Sequence, residues 1–244
     1  MTKKLTIAFI APMIEELNEL LAQFPKESIS QTVEKKVEIT IIDYKNIQVI
    51  AALSGVGKVN AAYTATILFM KYNPDVLINC GVAGGFEKSQ KVLDFVIGTK
   101  FVYTDVDITF LGLEMGQLIK EPPYFPASDR LIEKIKSMES NFDVKFHYGI
   151  IGSADQFINK DHQVEFIQKH FPDVICVEME GAAIAHVAHK FEIPILAIRS
   201  LSDIAVKKED NSLEYLEFLE KAAQLSAKLC LMLIESLSSD CQQA

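Results

Sequence analysis

The candidate reactive groups of this chain are mostly carboxylates standing at the ends of short apolar runs. Glu178 and Glu180 sit two apart in VEME, so an extended backbone there points both to one side. A carboxylate can accept from both hydroxyls of a sugar's vicinal diol. An acidic pair also suits the N-terminus of a following helix, whose dipole favours negative charge. Glu15 and Glu16 fall in the first turn of a predicted helix, where the same dipole accounts for them. Asp203, in RSLSDIA, ends another apolar run and has the ordinary reading of a cap. Arg199 lies inside that run, and a core guanidinium must meet a carboxylate or a polar pocket. GVAGG (Gly81–Gly85), with Val82, Ala83 and Gly84, either makes a flexible turn or lets a ligand approach backbone N–H groups. Phe157, beside Ile158, either stacks on a flat ligand or fills the core.

Two superficial motifs are set aside. SGVGK (Ser54–Lys58) looks like a phosphate loop, but Ala52 stands where GxxxxGK[ST] needs its first glycine, and Val59 follows Lys58. It reads as a tight strand-to-helix turn. His186 and His189 are three apart on one predicted helix with no third ligand, so they read as packing or surface positions.

Alternating elements must position these groups. Leu5–Ala11, Val76–Cys80, Phe95–Tyr103, Lys145–Ile151, Val174–Met179 and Ile195–Leu201 read as strands. Val37–Tyr44 and Ile47–Leu53 flank Lys45-Asn46 and read as a hairpin. Helical spacing marks Met13–Phe24, Asn60–Tyr72, Ser128–Met138 with Ser128 as N-cap, Asp161–His170, Gly181–Phe191 and Asn211–Leu237. The pattern predicts one α/β domain over residues 1–244, its sheet covered by helices on both faces. In open α/β sheets ligands sit beyond the carboxyl ends of the strands, which is where the groups above gather. Lys120–Ser128 (KEPPYFPAS) is a turn-rich loop, either a lid or a connection.

Composition narrows the class. A net charge of −9 argues against nucleic acid or an anionic membrane surface as partner, and no apolar run is long enough to span a bilayer. MTKKLTIAFIAP mimics a signal peptide faintly but reads better as a first strand. Cys80, Cys176, Cys230 and Cys241 are far apart, so reduced, mostly buried thiols are expected rather than a zinc cage or disulfides. Together these features point to a cytoplasmic enzyme or binding protein.

Taken in order, PMIEEL (Pro12–Leu17), SGVGKVNAA (Ser54–Ala62), INCGVAGG (Ile78–Gly85), DVDITFLG (Asp105–Gly112), DQFIN (Asp155–Asn159), VEMEGAAIAHVAH (Val177–His189) and IRSLSDIA (Ile198–Ala205) resemble the bacterial 5′-methylthioadenosine/S-adenosylhomocysteine nucleosidases. The resemblance implies the nucleoside phosphorylase/hydrolase fold, an α/β three-layer sandwich with a central mixed sheet flanked by helices, as a homodimer. It implies hydrolysis of an adenine N-glycosidic bond in methionine salvage, with no metal or organic cofactor. Glu16 falls at the family's water-activating glutamate and Asp203 at the acid that protonates adenine. Glu180, its neighbour Glu178 and the Met179 backbone match the ribose site, and Phe157 with the Ile158 backbone matches the adenine pocket. Val82, Ala83, Gly84 and Ser202 belong to ligand-facing segments, and Arg199 falls where the family places the water. Ile108, Leu111 and Leu113 fall where a neighbouring subunit covers the 5′-thio group.

The chain departs from the family pattern at several positions. Val82 replaces a usual Ser, Ala154 a Gly, Gln156 a smaller residue and Thr104 a His, while Leu111, Leu113 and Met115 replace aromatic wall residues. The substrate expected is a small nucleoside. The rivals are a phosphorylase of the same fold, which would lean on arginines where this chain has only Arg130 and Arg199, and a non-catalytic nucleoside binder. A deaminase lacks support, because no zinc-deaminase signature appears.

Overall fold

A computed structural model describes residues 4–207 and 211–243, with side chains to residue 240. Met1–Lys3 of the basic tip and the thiol of Cys241 lie outside the described parts.

The chain opens with strand β1 (Leu5–Ala11), helix α1 (Ile14–Leu21) and three antiparallel strands, β2 (Ile29–Glu34), β3 (Val37–Tyr44) and β4 (Ile47–Leu53). Helix α2 (Lys58–Tyr72) leads to β5 (Val76–Gly85) and β6 (Phe95–Tyr103), then to the short β7 (Phe125–Pro126). Next come α3 (Asp129–Lys136), β8 (Phe146–Ser153), α4 (Asp161–His170), β9 (Val174–Glu178), α5 (Gly181–Lys190), β10 (Ile195–Ile204) and the closing α6 (Ser212–Gln243).

All ten strands belong to one mixed sheet, ordered β10-β6-β8-β9-β5-β1-β4-β3-β2, with β7 paired to β6. The sheet is not the open one that the sequence reading assumes. An extra β10–β5 pairing closes β5, β10, β6, β8 and β9 into a ring. Side chains of β1 show how the layers form. Ile7, Phe9 and Ala11 join one buried cluster with residues of α1, α3 and α6, while Ala8 and Ile10 join another with α2 and α5. A strand covered on both faces has no polar face, which is why Leu5–Ala11 is apolar but for Thr6. No helix among the described residues is long and apolar enough to cross a membrane.

Two strand ends, one edge strand and one helix cap differ from the sequence reading in ways that matter. β5 does not end at Cys80 but runs through GVAGG to Gly85, because Gly84 and Gly85 pair with Val177 and Cys176 of β9. β10 does not end at Leu201 but runs to Ile204, so Asp203 lies within a strand rather than after one. β2 was unread in the sequence; it pairs with β3 alone, at the sheet's edge. Ser128 does stand at the N-cap of α3, yet its hydroxyl makes no capping bond. The Lys120–Ser128 loop is a stitched connection. Phe125 pairs with Phe101, Phe125 stacks on His186, and Glu121 reaches Lys190 Nζ at 2.5 Å. Cys80, Cys176 and Cys230 are buried free thiols, as expected.

Candidate active site

Three neighbouring staves of the ring, β9, β5 and β10, end at one cavity. Its free space is about 490 Å³, part of it open to solvent. β5 contributes Val82, Ala83 and Gly84; β9 contributes Val177 and Glu178; β10 contributes Ser202 and Asp203. Successive strand residues normally point to opposite faces. Ser202 and Asp203 both reach the cavity because the β10–β5 register slips there: Leu201 pairs with Ala83 and Asp203 with Gly84, leaving Ser202 as the extra residue. Such a bulge re-aims side chains.

Glu16 enters from α1 and is only 2% exposed. Its Oε2 accepts the Met13 N–H at 2.9 Å, the helix-start bond that the dipole reading anticipates. Its Oε1 accepts the Val82 N–H of β5, also at 2.9 Å. The carboxylate comes that close to β5 because Gly81 has no side chain; a Cβ there would lie 2.7 Å from Oε1. Burial pushes Glu16 up to about 7, against the pull of those two N–H donors.

Glu178 and Glu180 share a side, as their spacing predicts, but their carboxylates are used differently. Glu178 Oε2 accepts from the Glu180 and Gly181 N–H groups at 3.1 and 2.7 Å and from Arg199 at 2.8 Å, while Oε1 accepts from Ser153 Oγ. Glu178 lines the cavity with its bonding capacity already taken up within the protein. Arg199 meets the carboxylate that a core guanidinium requires, and also donates to the carbonyl and side-chain oxygens of Asn79. It stands behind Glu178, off the cavity wall, and supports that carboxylate. Glu180 accepts one hydrogen bond among the described residues, from the Gly57 N–H at 2.8 Å. The rest of its carboxylate is left for a ligand. Burial, then the charge of Glu178, pushes Glu180 up to about 8. Gly57 takes a left-handed φ of +99° at the start of α2, so SGVGK does supply an N–H to the site, though to a carboxylate and not to a phosphate.

Asp203 is 1% exposed. Its Oδ1 accepts from Ser202 Oγ at 2.8 Å and its Oδ2 from Asn211 Nδ2. Burial pushes it up to about 6, and those two donors hold it from rising further. Beside it a narrower recess is bounded by Gln156, Phe157, Ile158 and Met179. Phe157 is 40% exposed and packs edge-on against Tyr215 of α6, at 5.5 Å between ring centres. Burial raises Tyr215 to about 12; its hydroxyl donates to Met13 Sδ at 3.2 Å.

A family model described as the phosphorylase superfamily matches residues 6–237. The 5′-methylthioadenosine/S-adenosylhomocysteine nucleosidase of Anoxybacillus flavithermus is 38% identical over 235 residues, covering 96% of this chain and 100% of its own. The chain belongs to this nucleosidase family. The Streptococcus pneumoniae nucleosidase, solved with a transition-state inhibitor, matches with a TM-score of 0.89 at 34% identity, covering 96% of this chain and 100% of that one. Futalosine hydrolase of Helicobacter pylori matches equally in shape, TM-score 0.89, at 28% identity over 95% of this chain and 98% of that one.

In this family member, two of the departures are absorbed by packing. Thr104 is buried with its hydroxyl on the Ser153 carbonyl at 3.3 Å, and Ala154 is 4% exposed. Gln156 accepts from Gln163 of α4 at 2.9 Å. Ile108, Leu111 and Leu113 do not line the cavity of their own chain; Leu111 is 50% exposed. Asn79, Ser153, Asn211 and Tyr215 are the residues that sequence reading missed. Asn79, Ser153 and Tyr215 meet Arg199, Glu178 and Met13 far along the chain, and the separation of Asn211 from Asp203 matches no helix or strand period, so no local spacing marks them. His186 is a packing residue, stacked on Phe125 and bonded to Tyr103.

Proposed function

We propose that the protein hydrolyses the N-glycosidic bond of 5′-methylthioadenosine, S-adenosylhomocysteine and 5′-deoxyadenosine, releasing adenine. The carrying observation is that Glu16 and Asp203 share one cavity whose wall holds no Lys or Arg among the described residues. As the C1′–N9 bond breaks, its electron pair passes to adenine and positive charge grows on the sugar. Asp203 gives its proton to the base. Glu16 takes a proton from the water that adds to C1′. Glu180 takes the ribose diol, beside the Met179 backbone. Phe157, the Ile158 backbone and Gly84 bound the base.

The proton affinities suit these roles. A base near 7 can accept a proton at neutral pH, and an acid raised toward neutrality can deliver one. With values of about 7 and about 6, the form with Glu16 ionised and Asp203 protonated is a minority of the empty protein, roughly one molecule in twenty near pH 6.5. A purine seated over Asp203 strips more water from it and raises its proton affinity further.

The absence of cations on the wall argues against a phosphorylase. Phosphate would meet Glu16, Glu178 and Glu180, while Arg199 is committed to Glu178 and Arg130 to Asp240. The test is adenine release from methylthioadenosine with and without phosphate, with futalosine as a further substrate. Release that requires phosphate, or tight binding with no release, would overturn the proposal.

A homodimer completes the reading. Val56, Val59 and Tyr63 around the start of α2 are 48%, 79% and 49% exposed, and Phe110 and Leu111 are 83% and 50% exposed. Lys58 joins the two groups through Asp105 at 2.6 Å. A second copy laid on this surface would cover them and bring its Ile108, Leu111 and Leu113 to the 5′ end. Sedimentation at monomer mass would refute it.

A further inference from the structure

Asn211, just before α6, is 4% exposed and lies outside the cavity wall. Its amide nitrogen donates to Asp203 Oδ2 and, at 3.3 Å, to the carbonyl of Ile158. Its amide oxygen is buried with no partner among the described residues. A buried, half-satisfied amide is a poor choice for stability alone, since an unpaired acceptor forfeits its water for nothing. What the side chain does is join three elements: the end of β10, the segment after β8, and the first turn of α6. Neighbouring bonds reinforce the junction. Asn159 Nδ2 donates to Ser212 Oγ at 3.4 Å, the Ile204 N–H donates to Glu214 Oε2 at 3.1 Å, and Tyr215 N–H donates to the Asn211 carbonyl at 2.9 Å.

We propose that Asn211 is a positioning residue: its amide fixes the Oδ2 edge of Asp203 and ties it to the Ile158 backbone, so that the proton donor and the wall that seats the base keep one relative placement. This rests on Asp203 being the acid. Ser202 Oγ holds the other carboxylate oxygen, so the two donors together set the plane of the carboxyl. The Asn211 N–H also favours the ionised form of Asp203, in the same direction as Ser202 and Lys207 and opposite to burial and Glu214. Glu178, Glu180 and Glu16 face the cavity from β9, the start of α5 and α1, and Tyr215 from α6.

The test is the pH profile of kcat for Asn211→Leu and Asn211→Ala, each checked by thermal melting. Loss of the fixed geometry lowers kcat on the order of tenfold or more, with KM changed far less. Loss of the donor raises the proton affinity of Asp203. The separation of the profile's two arms, which the affinities of Glu16 and Asp203 set together, therefore changes from the parent's. A residue that merely held the fold would lower both arms together. The smaller Ala variant also removes the unpaired oxygen, so it remains informative if Leu is not accommodated. Unchanged kcat, or arms that keep their separation, would overturn the inference while leaving the function intact. Asp203→Asn is run alongside: if that variant keeps its turnover, the acid assignment fails whatever the Asn211 variants do.

Discussion

Glu16→Gln is expected to abolish turnover and to gain stability relative to the parent as pH rises. Glu16 is pushed from an ordinary 4.5 up to about 7 by burial, with the Val82 and Met13 N–H groups and the Arg199 charge offsetting only part of it. A folded-state value above the unfolded one means that Glu16 favours folding fully below pH 4.5 and loses that contribution as pH climbs through about 7. A difference of about 2.5 units corresponds to about 3 kcal/mol. Roughly 1 kcal/mol of this is gone by pH 5 and nearly all by pH 8.5. Gln has the shape of the acid and does not titrate; its amide nitrogen cannot accept the N–H of Met13 or Val82 that it would face, a cost that does not vary with pH. The stability gap between variant and parent should therefore widen by about 2–3 kcal/mol from pH 5 to pH 8.5. Urea unfolding of both proteins at both pH values, at one fixed concentration, reads this directly as a change in midpoint. A gap that stays constant with pH would refute the view of Glu16 as an incompletely compensated buried charge. Loss of turnover without the widening gap would separate its chemistry from its energetics.

Three other outcomes follow from the site. Asp203→Asn should lose nearly all adenine release while still binding methylthioadenosine by calorimetry; near-normal release would remove Asp203 from its role. Binding of an adenine nucleoside to the parent protein at pH 7 should take up protons, because Asp203, at about 6 when the cavity is empty, is raised further by the seated base. Calorimetry in buffers of different ionisation enthalpy measures that uptake, and proton release would contradict it. Gly81→Ala sets a Cβ 2.7 Å from Glu16 Oε1 and should lower kcat on the order of ten- to a hundredfold with a smaller change in KM. A kcat equal to the parent's would show that the carboxylate can shift without consequence.

β3 and β4 are read from the hairpin turn between them, and other strands from runs that are mostly buried. β1 and β6 are read to the residue because most of each run is buried and apolar, with Thr6, Thr99 and Lys100 the exceptions. β2 escaped because ISQTVE is half exposed and packs on one neighbour only. The ends of β5 and β10 escaped for a different reason. GVAGG has the composition of a turn, but its glycines are there for close approach. At Gly84 a Cβ would lie 3.1 Å from Asp203 Oδ2, and at Gly85 one would lie 2.8 Å from the Gln90 side chain. Composition alone does not distinguish a glycine that bends the chain from one that makes room for a carboxylate.

The carboxylates show the same limit from the other side. Period two correctly put Glu178 and Glu180 on one side, and core logic correctly required a partner for Arg199. Neither rule says which of the two glutamates is that partner. The choice is made in three dimensions, where Arg199 on β10 lies beside Glu178 on β9 and the Gly57 N–H at the start of α2 finds Glu180. The division has a chemical consequence. Arg199 offsets the charge of Glu178, while Glu16 and Glu180 face the cavity with no such cationic partner. Breaking the Arg199–Glu178 pair should therefore harm more than stability: it would leave a third unpaired carboxylate in the cavity, raising the proton affinity of Glu180 and Glu16 and removing the ionised base that water activation needs.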